Sequence, residues 1–294
     1  MFQQFSCQHA AVFSDIHGNS PAFQACYQDA LRHGADLFLF LGDYVSDLSG
    51  SRQVLDLVYQ IQETYPTICL RGNRERYMLE CAQGRTQFSP GSKSGSLLYT
   101  YQQLTAKDLA FFERIPISAH IRLSDIPVEI AHAVRTDDHF YFDERDGNIA
   151  GILAQMDTPY LLAGHSHKQF LFRHDGKTIL NPGSIGVPKR CGSLAQYAML
   201  HIQDGHIAFD LRQIPYDVPA TIRQQFESEL MRLAPHWAIS ILYDIITGKD
   251  YTLPLLEQVG PDTHCEAAWH KVAAQLGMQF TQQDILDFYT SHLL

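Results

Sequence analysis

Three short apolar runs, Ala10 to Phe13, Leu37 to Leu41 and Thr67 to Leu70, are separated by stretches of helical spacing, about Pro21 to His33 and Val54 to Ile61. This alternation constrains the chain more than any other feature. Strand–helix–strand steps of this length build a largely parallel sheet with helices on its faces, and they bring the loops at the strand C-termini to one edge. Chemistry is therefore expected on that edge.

Beyond the third run the pattern changes. Ala82 to Ser96 is polar and rich in Gly and Ser; a helix then starts near Leu97, and Thr105 caps a second, so a helical insertion is expected at about 84–114. Strand-like segments at Ile117 to Leu123, Val128 to His132, Tyr160 to Ala163, Phe170 to Arg173 and Lys177 to Leu180, with an Asp175-Gly176 turn, point to a second sheet. Tyr197 to Ile202 and Ile207 to Arg212, around Asp204-Gly205, are expected to complete that second sheet. The fold class is α/β, a four-layer αββα sandwich over residues 1–214.

After Pro215, apolar residues at helical spacing (Ile222, Phe226, Leu230, Leu233) and similar stripes around Trp237 to Ile245, Trp269 to Leu276 and Ile285 to Leu293 predict a helical C-terminal extension, residues 215–294. Three uses are open for it: a lid over the functional edge, a docking surface through which a homo-oligomer forms, or a buttress for the sheet.

With 45% hydrophobic residues in 294, the chain can bury a large core. Its 22 basic residues against 32 acidic ones give a net charge of -10, which opposes generic binding to nucleic acid or an anionic membrane. Residues 215–294 hold four of the basic and ten of the acidic residues. A small phosphorylated substrate stays compatible with this charge if a bound divalent cation reverses the local potential. Cys7, Cys26, Cys69, Cys81, Cys191 and Cys265 form no C-x-x-C pair and read as buried thiols of a reducing compartment. No apolar run approaches the ~20 residues that span a bilayer and no signal peptide is apparent, so a cytoplasmic location is expected.

Metal-capable side chains follow the expected strands in five strings: Ser14-Asp15-Ile16-His17-Gly18-Asn19, Gly42-Asp43, Arg71-Gly72-Asn73-Arg74-Glu75, Ala131-His132-Ala133 and Gly164-His165-Ser166-His167. A sixth, Asn181-Pro182-Gly183-Ser184, ends a later strand. The spacing of Asp15 and His17, repeated in His165 and His167, projects both side chains to one side of an extended strand end. Carboxylate, imidazole and amide oxygen without thiolate select Mn, Fe, Zn or Mg. Each string has a plainer use: Gly-Asp marks turns, Asn73 would cap a helix, and a histidine such as His132 can sit satisfied at a core rim. Their coincidence at successive strand ends is what singles them out.

The ordered set, spanning Ala10 to Ser184, resembles the calcineurin-like metallophosphoesterase superfamily, particularly its small bacterial and archaeal phosphodiesterases. The resemblance implies an αββα sandwich holding two divalent ions, Mn or Fe favoured. One would be held by Asp15, His17, Asp43 and His167, the other by Asp43, Asn73, His132 and His165, with Asp43 bridging. It implies in-line hydrolysis of a phosphodiester or phosphoanhydride by a metal-bridging hydroxide, with Asp43 and Asn73 part of the catalytic set. A nucleotide-like substrate such as a dinucleoside polyphosphate is a fair expectation. The alternatives are a phosphomonoesterase or protein phosphatase on the same site, or an interaction scaffold with this fold.

One position departs from the family pattern, which most often reads Gly-Asn-His-Asp/Glu: Arg74 stands where the histidine would be. An arginine keeps its proton and cannot act as a general acid, but it can contact phosphate or a leaving group. Alternatively it turns outward onto Glu75 or Glu80. Without an acid, substrates with stable leaving anions should be favoured. Tyr44, His139 and Lys189-Arg190 lie near the ligand strings, and the role of Asp47 is left open.

Overall fold

The computed structural model describes residues 3–92, 94–133, 145 and 149–293. Its first part runs β1 (Gln3–Phe5), β2 (His9–Phe13), α1 (Ser20–Arg32), β3 (Leu37–Phe40), α2 (Ser51–Thr64), β4 (Thr67–Cys69), α3 (Asn73–Ala82), α4 (Gly95–Gln103) and α5 (Ala106–Arg114). Then follow β5 (Ser118–Leu123), β6 (Ile126–Ala131), α6 (Ile149–Gln155), β7 (Tyr160–Ala163), β8 (Phe170–His174), β9 (Lys177–Asn181), β10 (Leu194–Gln203) and β11 (His206–Pro215). The C-terminal helices are α7 (Val218–Phe226), α8 (Leu230–Leu233), α9 (Pro235–Thr247), α10 (Thr252–Val259), α11 (Glu266–Gln275) and α12 (Gln282–His292). No helix among the described residues is long and apolar enough to cross a membrane.

Two sheets face each other, ordered β11-β10-β2-β3-β4 and β1-β5-β6-β7-β9-β8. The pleat sorts the side chains: Ala10, Val12, Leu37 and Leu39 join Val128, Ile130, Leu162 and Leu180 between the sheets. Their neighbours Ala11, Phe13, Phe38 and Phe40 pack outward on α1, α2, α3 and α5. On the far side α6 covers the second sheet with Ile149, Ile152 and Leu153. The layers are thus αββα, with β2, β3 and β4 parallel as the alternation requires.

The hairpin β10–β11 departs from expectation. It pairs antiparallel with β2, so it completes the first sheet rather than the second. Alternation tells which face of a strand is buried but says nothing of its neighbour, and here the pairing is made with residues nearly two hundred positions upstream. Of the cysteines, Cys81 is only half-buried and Cys265 is exposed, contrary to a uniformly buried set.

Asp29 of α1 fastens this hairpin to the helix layer. It accepts hydrogen bonds from Tyr197 Oη (2.7 Å), Arg212 Nε (2.7 Å) and Arg32 (3.0 Å). Burial works against its charge, but the Arg212, Tyr197 and Arg32 donors outweigh it and hold the carboxyl below its ordinary 3.8. A folded-state value below the unfolded one stabilises above the unfolded value and is lost as pH falls through the folded one. Asp29→Asn should therefore unfold at lower urea than the parent at pH 7, with a smaller gap at pH 3. An equal gap at both pH values would reject this.

Candidate metal centre

Five loops at the C-terminal strand edges converge between the sheets. Asp15 and His17 follow β2, Asp43 follows β3, and Asn73 opens α3 just beyond β4; His132 follows β6, while His165 and His167 follow β7. All seven side chains meet. His17 Nε2 lies 3.0 Å from His167 Nε2, and His167 Nε2 lies 3.3 Å from Asp15 Oδ1. Across the cluster, His132 Nε2 is 3.1 Å from Asn73 Oδ1 and 3.2 Å from His165 Nδ1. Asp43 Oδ2 stands between the halves, 3.6 Å from both His17 Nε2 and His132 Nε2. Ligand atoms within metal-binding reach form two trios, Asp15 with His17 and His167, and Asp15 with Asp43 and His132.

The backbone reaches this arrangement by an unexpected route. Asp15, His17, Asp43, His165 and His167 all have positive φ, between 49° and 68°. The two-residue spacing therefore acts through left-handed turns past the strand ends, not through an extended strand. Such conformations cost energy for residues with a Cβ, and they persist here because the surroundings hold them. Part of that hold is close packing: a Cβ on Gly72 would fall 2.1 Å from Asp43 Oδ1, and one on Gly164 would fall 2.0 Å from Ser14 Oγ. Gly72 is also the residue that precedes α3, so Asn73 is not its cap and its amide oxygen turns to His132 instead.

Hydrogen bonding at the remote ring nitrogens determines what the histidines present. His132 Nδ1 donates to the Leu41 carbonyl (2.8 Å) and His167 Nδ1 to the Val187 carbonyl (2.8 Å), which leaves each Nε2 as a lone pair facing the cluster. His17 Nδ1 lies 3.0 Å from Asp47 Oδ2 in an off-line contact. Burial by itself would depress His17, but Asp15, Asp47 and Asp43 raise it to about 9. Burial would likewise raise Asp15, yet the imidazoles of His167 and His17 hold it well below the carboxylate range. Burial and neighbouring His132 push His165 down to about 4. The buried Asp15 Oδ1 receives no hydrogen bond. Lone pairs and carboxylates at these separations require positive charge among them, and oxygen and imidazole donors without thiolate fit a borderline or hard divalent cation. Metal binding would displace the protons that otherwise supply that charge.

The partners of several supporting residues come only from the packed structure. Glu75 is fully buried and accepts the backbone N–H groups of Gly72 (2.8 Å), Asp43 (2.9 Å) and Tyr44 (2.9 Å), tying the β3 and β4 loops together. Asp47 pairs with Arg74 at 2.9 Å and accepts from Trp237 Nε1 at 2.9 Å. Arg74 therefore turns neither to Glu75 nor to Glu80, which binds Arg76. Asn181 donates to the Gly164 carbonyl and to Ser166, bracing the loop of His165 and His167, and Ser184 donates to the Asp15 carbonyl. Asp47 and Glu75 sit within four residues of candidate ligand positions, a signal available in the sequence; Trp237 carries none. Tyr44 is buried, with its hydroxyl on the Leu70 carbonyl, and Arg190 is exposed. His139 lies outside the described residues.

A cleft of about 360 Å³ opens over His17, Asp43, Asn73, His165 and His167. Its opposite wall comes from the C-terminal helices, through Trp237, Ile241 and Asp244 of α9 and Thr252 and Leu253 of α10. Lys189 lies in the same wall, 2.6 Å from Asp244 and 3.2 Å from Asp250. Those helices share one core, joined by Leu48 and Val187 from the loops beside the centre. A second cleft of about 300 Å³, with Arg71 and Arg76 in its lining, borders Asn73 and His132.

Residues 9–205 match the family model of the calcineurin-like phosphoesterase superfamily domain. An uncharacterized protein of Methanocaldococcus jannaschii is 23% identical over 244 residues, 77% of this chain and 94% of its own length. A hypothetical protein from Pyrococcus horikoshii superposes with a TM-score of 0.70 at 15% identity, over 82% of this chain and 99% of its own. A metallophosphoesterase from Sphaerobacter thermophilus superposes with a TM-score of 0.59 at 20% identity, over 78% and 99%. These two superpositions share the fold.

Proposed function

Since the chain belongs to the calcineurin-like phosphoesterase superfamily, we propose that it is a dinuclear metal-dependent hydrolase of a phosphodiester or phosphoanhydride, with a nucleotide-like substrate. The observation that carries this reading is the convergence of seven oxygen and imidazole donors from five strand-end loops into one two-part cluster. In this reading Asp15, His17, Asp43 and His167 hold one ion and Asp43, Asn73, His132 and His165 the other, with Mn or Fe favoured. Bound ions would acidify water and neutralise phosphoryl oxygens. Asp43 orients both halves of the centre, and Asp47 keeps His17 turned toward it.

Arg74 faces the same cleft, where its guanidinium contacts a phosphoryl oxygen or the leaving group. It adds positive charge without supplying a proton. Residues 1–214 form the phosphoesterase core and 215–294 an extension that closes the cleft from one side. A cytoplasmic, reducing setting is part of this reading; the six cysteines are all free.

The test is hydrolysis of bis-p-nitrophenyl phosphate by metal-stripped protein with and without added manganese. Manganese-dependent turnover is expected, exceeding that of p-nitrophenyl phosphate. Preference for the monoester would shift the reading to a phosphomonoesterase, and absence of both turnover and bound metal would favour a scaffold. Arg74→His is expected to raise turnover of alkyl-leaving diesters relative to aryl ones, because an imidazole near neutral pH supplies the missing acid. An unchanged ratio would rule out a leaving-group role for this position.

A further inference from the structure

The wall opposite the metal ligands differs in character from the floor. Trp237, Ile241 and Asp244 recur at helical spacing along α9, so they present one face to the cleft. The Trp237 indole lines this cleft and is held in place by its Nε1 bond to Asp47. Leu253 lines the same wall from α10 and is 55% exposed, one of three large apolar side chains left exposed among the described residues.

The charges on this wall are engaged with one another. Arg74 lies on Asp47, and Lys189 lies on Asp244 and Asp250, so three of the four carboxylates around the cleft are already paired with a cation. A phosphoryl group placed against this wall would have to pull Lys189 off its pairs with Asp244 and Asp250 and strand a buried carboxylate, which is costly. A planar, uncharged ring would instead cover apolar surface without disturbing them, and stacking on an indole adds to that burial. At about 360 Å³ the cleft falls within the range of small-molecule sites.

We propose that Trp237, Ile241 and Leu253 form a recognition subsite for a planar aromatic arm of the substrate, a nucleobase or an aryl group stacked on the indole, while the phosphoryl group sits on the metal floor. The proposal rests on the phosphoesterase reading for which bond is cleaved, though not for what the wall binds. The C-terminal extension thereby sets specificity. Trp237 has a further part as a positioning residue, since the carboxylate it holds also faces His17 and Arg74.

Ligand binding to the full-length, metal-stripped chain tests this without turnover. The chain has two tryptophans, and Trp269 is fully buried with its Nε1 on the Thr263 carbonyl, so quenching reports Trp237. AMP and phenyl phosphate are expected to quench at concentrations at least about tenfold lower than ribose 5-phosphate, and Leu253→Asp, at the exposed mouth, should weaken both by about tenfold. Quenching by AMP alone would make the arm a nucleobase, and quenching by both would make any aromatic ring sufficient. Equal responses to all three compounds, or none, would overturn the subsite.

A kinetic arm separates this from the hydrolase reading. Methyl p-nitrophenyl phosphate and thymidine 5′-p-nitrophenyl phosphate share a leaving group and differ in the other arm. The thymidine compound should be preferred at least about tenfold in kcat/KM, mainly through KM, and Leu253→Asp should narrow the preference. Aromatic binding without turnover of either compound would sink the hydrolase and keep the subsite. Turnover of both at similar efficiency, with no quenching preference for AMP or phenyl phosphate over ribose 5-phosphate, would do the reverse.

Discussion

Asp43→Asn should reduce manganese-dependent hydrolysis of bis-p-nitrophenyl phosphate by about a thousandfold, roughly 4 kcal/mol of transition-state stabilisation. Asp43 Oδ2 is 3.6 Å from an imidazole nitrogen in each half of the cluster, while Oδ1 accepts the Arg74 backbone N–H at 2.8 Å. An asparagine fills the same space and can keep the Arg74 bond, but it replaces the central charge with a neutral NH2. The fold should survive: a melting temperature within about 3 °C of the parent is expected, as for a substitution worth under about 1 kcal/mol. Elemental analysis should show fewer than two ions retained. Two retained ions with activity within tenfold of the parent would remove Asp43 from the bridging role. The two trios share Asp15, so Asp15→Asn would then be the decisive variant.

Glu75→Gln is expected to cost about 3 kcal/mol of stability, seen as a fall in melting temperature of roughly 5–10 °C. Both carboxylate oxygens of Glu75 are in use. Oε2 accepts from Gly72 and Asp43 and Oε1 from Tyr44, and a glutamine offers only one oxygen to these three donors. Its NH2 would face a backbone N–H in a fully buried site. Burial, together with the charge of Asp43, pushes the Glu75 carboxyl up, so neutralising it returns part of that cost. The return is smaller than the loss, because at least one buried N–H is left without an acceptor and the Asp43 loop must shift to relieve it. Manganese affinity should fall by about 10–100-fold, the usual scale for residues that orient metal ligands. Unchanged melting together with unchanged affinity would show that Glu75 does not hold the β3 and β4 loops in register.

Asp43 and Glu75 differ in how they could be found. Asp43 follows directly on an apolar run, where a Gly-Asp pair next to four similar strings is conspicuous. Glu75 lies two residues past Asn73, where the sequence offers it only as a partner for Arg74, because its three actual partners are backbone groups on two separate loops. Arg74 shows the same limit. Its chemistry as a permanent cation follows from the residue type, but its partner Asp47 is 27 positions away and is brought near by the β3–β4 pairing. Conversely, Thr105 was legible as a cap because the bond it accepts from the Asp108 N–H spans three residues.

What the sequence by itself determined is local: the βαβαβ order of the first sheet, the caps and turns, the two-faced strands, and the ordered donor strings that make a divalent cation the natural occupant. Those features depend on periodicity and on neighbours a few residues apart. The tertiary structure alone decided that β10–β11 joins β2, that five of the seven candidate ligands stand in left-handed turns, and that α9 and α10 wall the cleft with Trp237 bonded to Asp47 across 190 positions. Each of these is set by burial and hydrogen-bond satisfaction between segments distant in the chain. An amphipathic stripe specifies that a face must be covered, and only the packed molecule supplies what covers it.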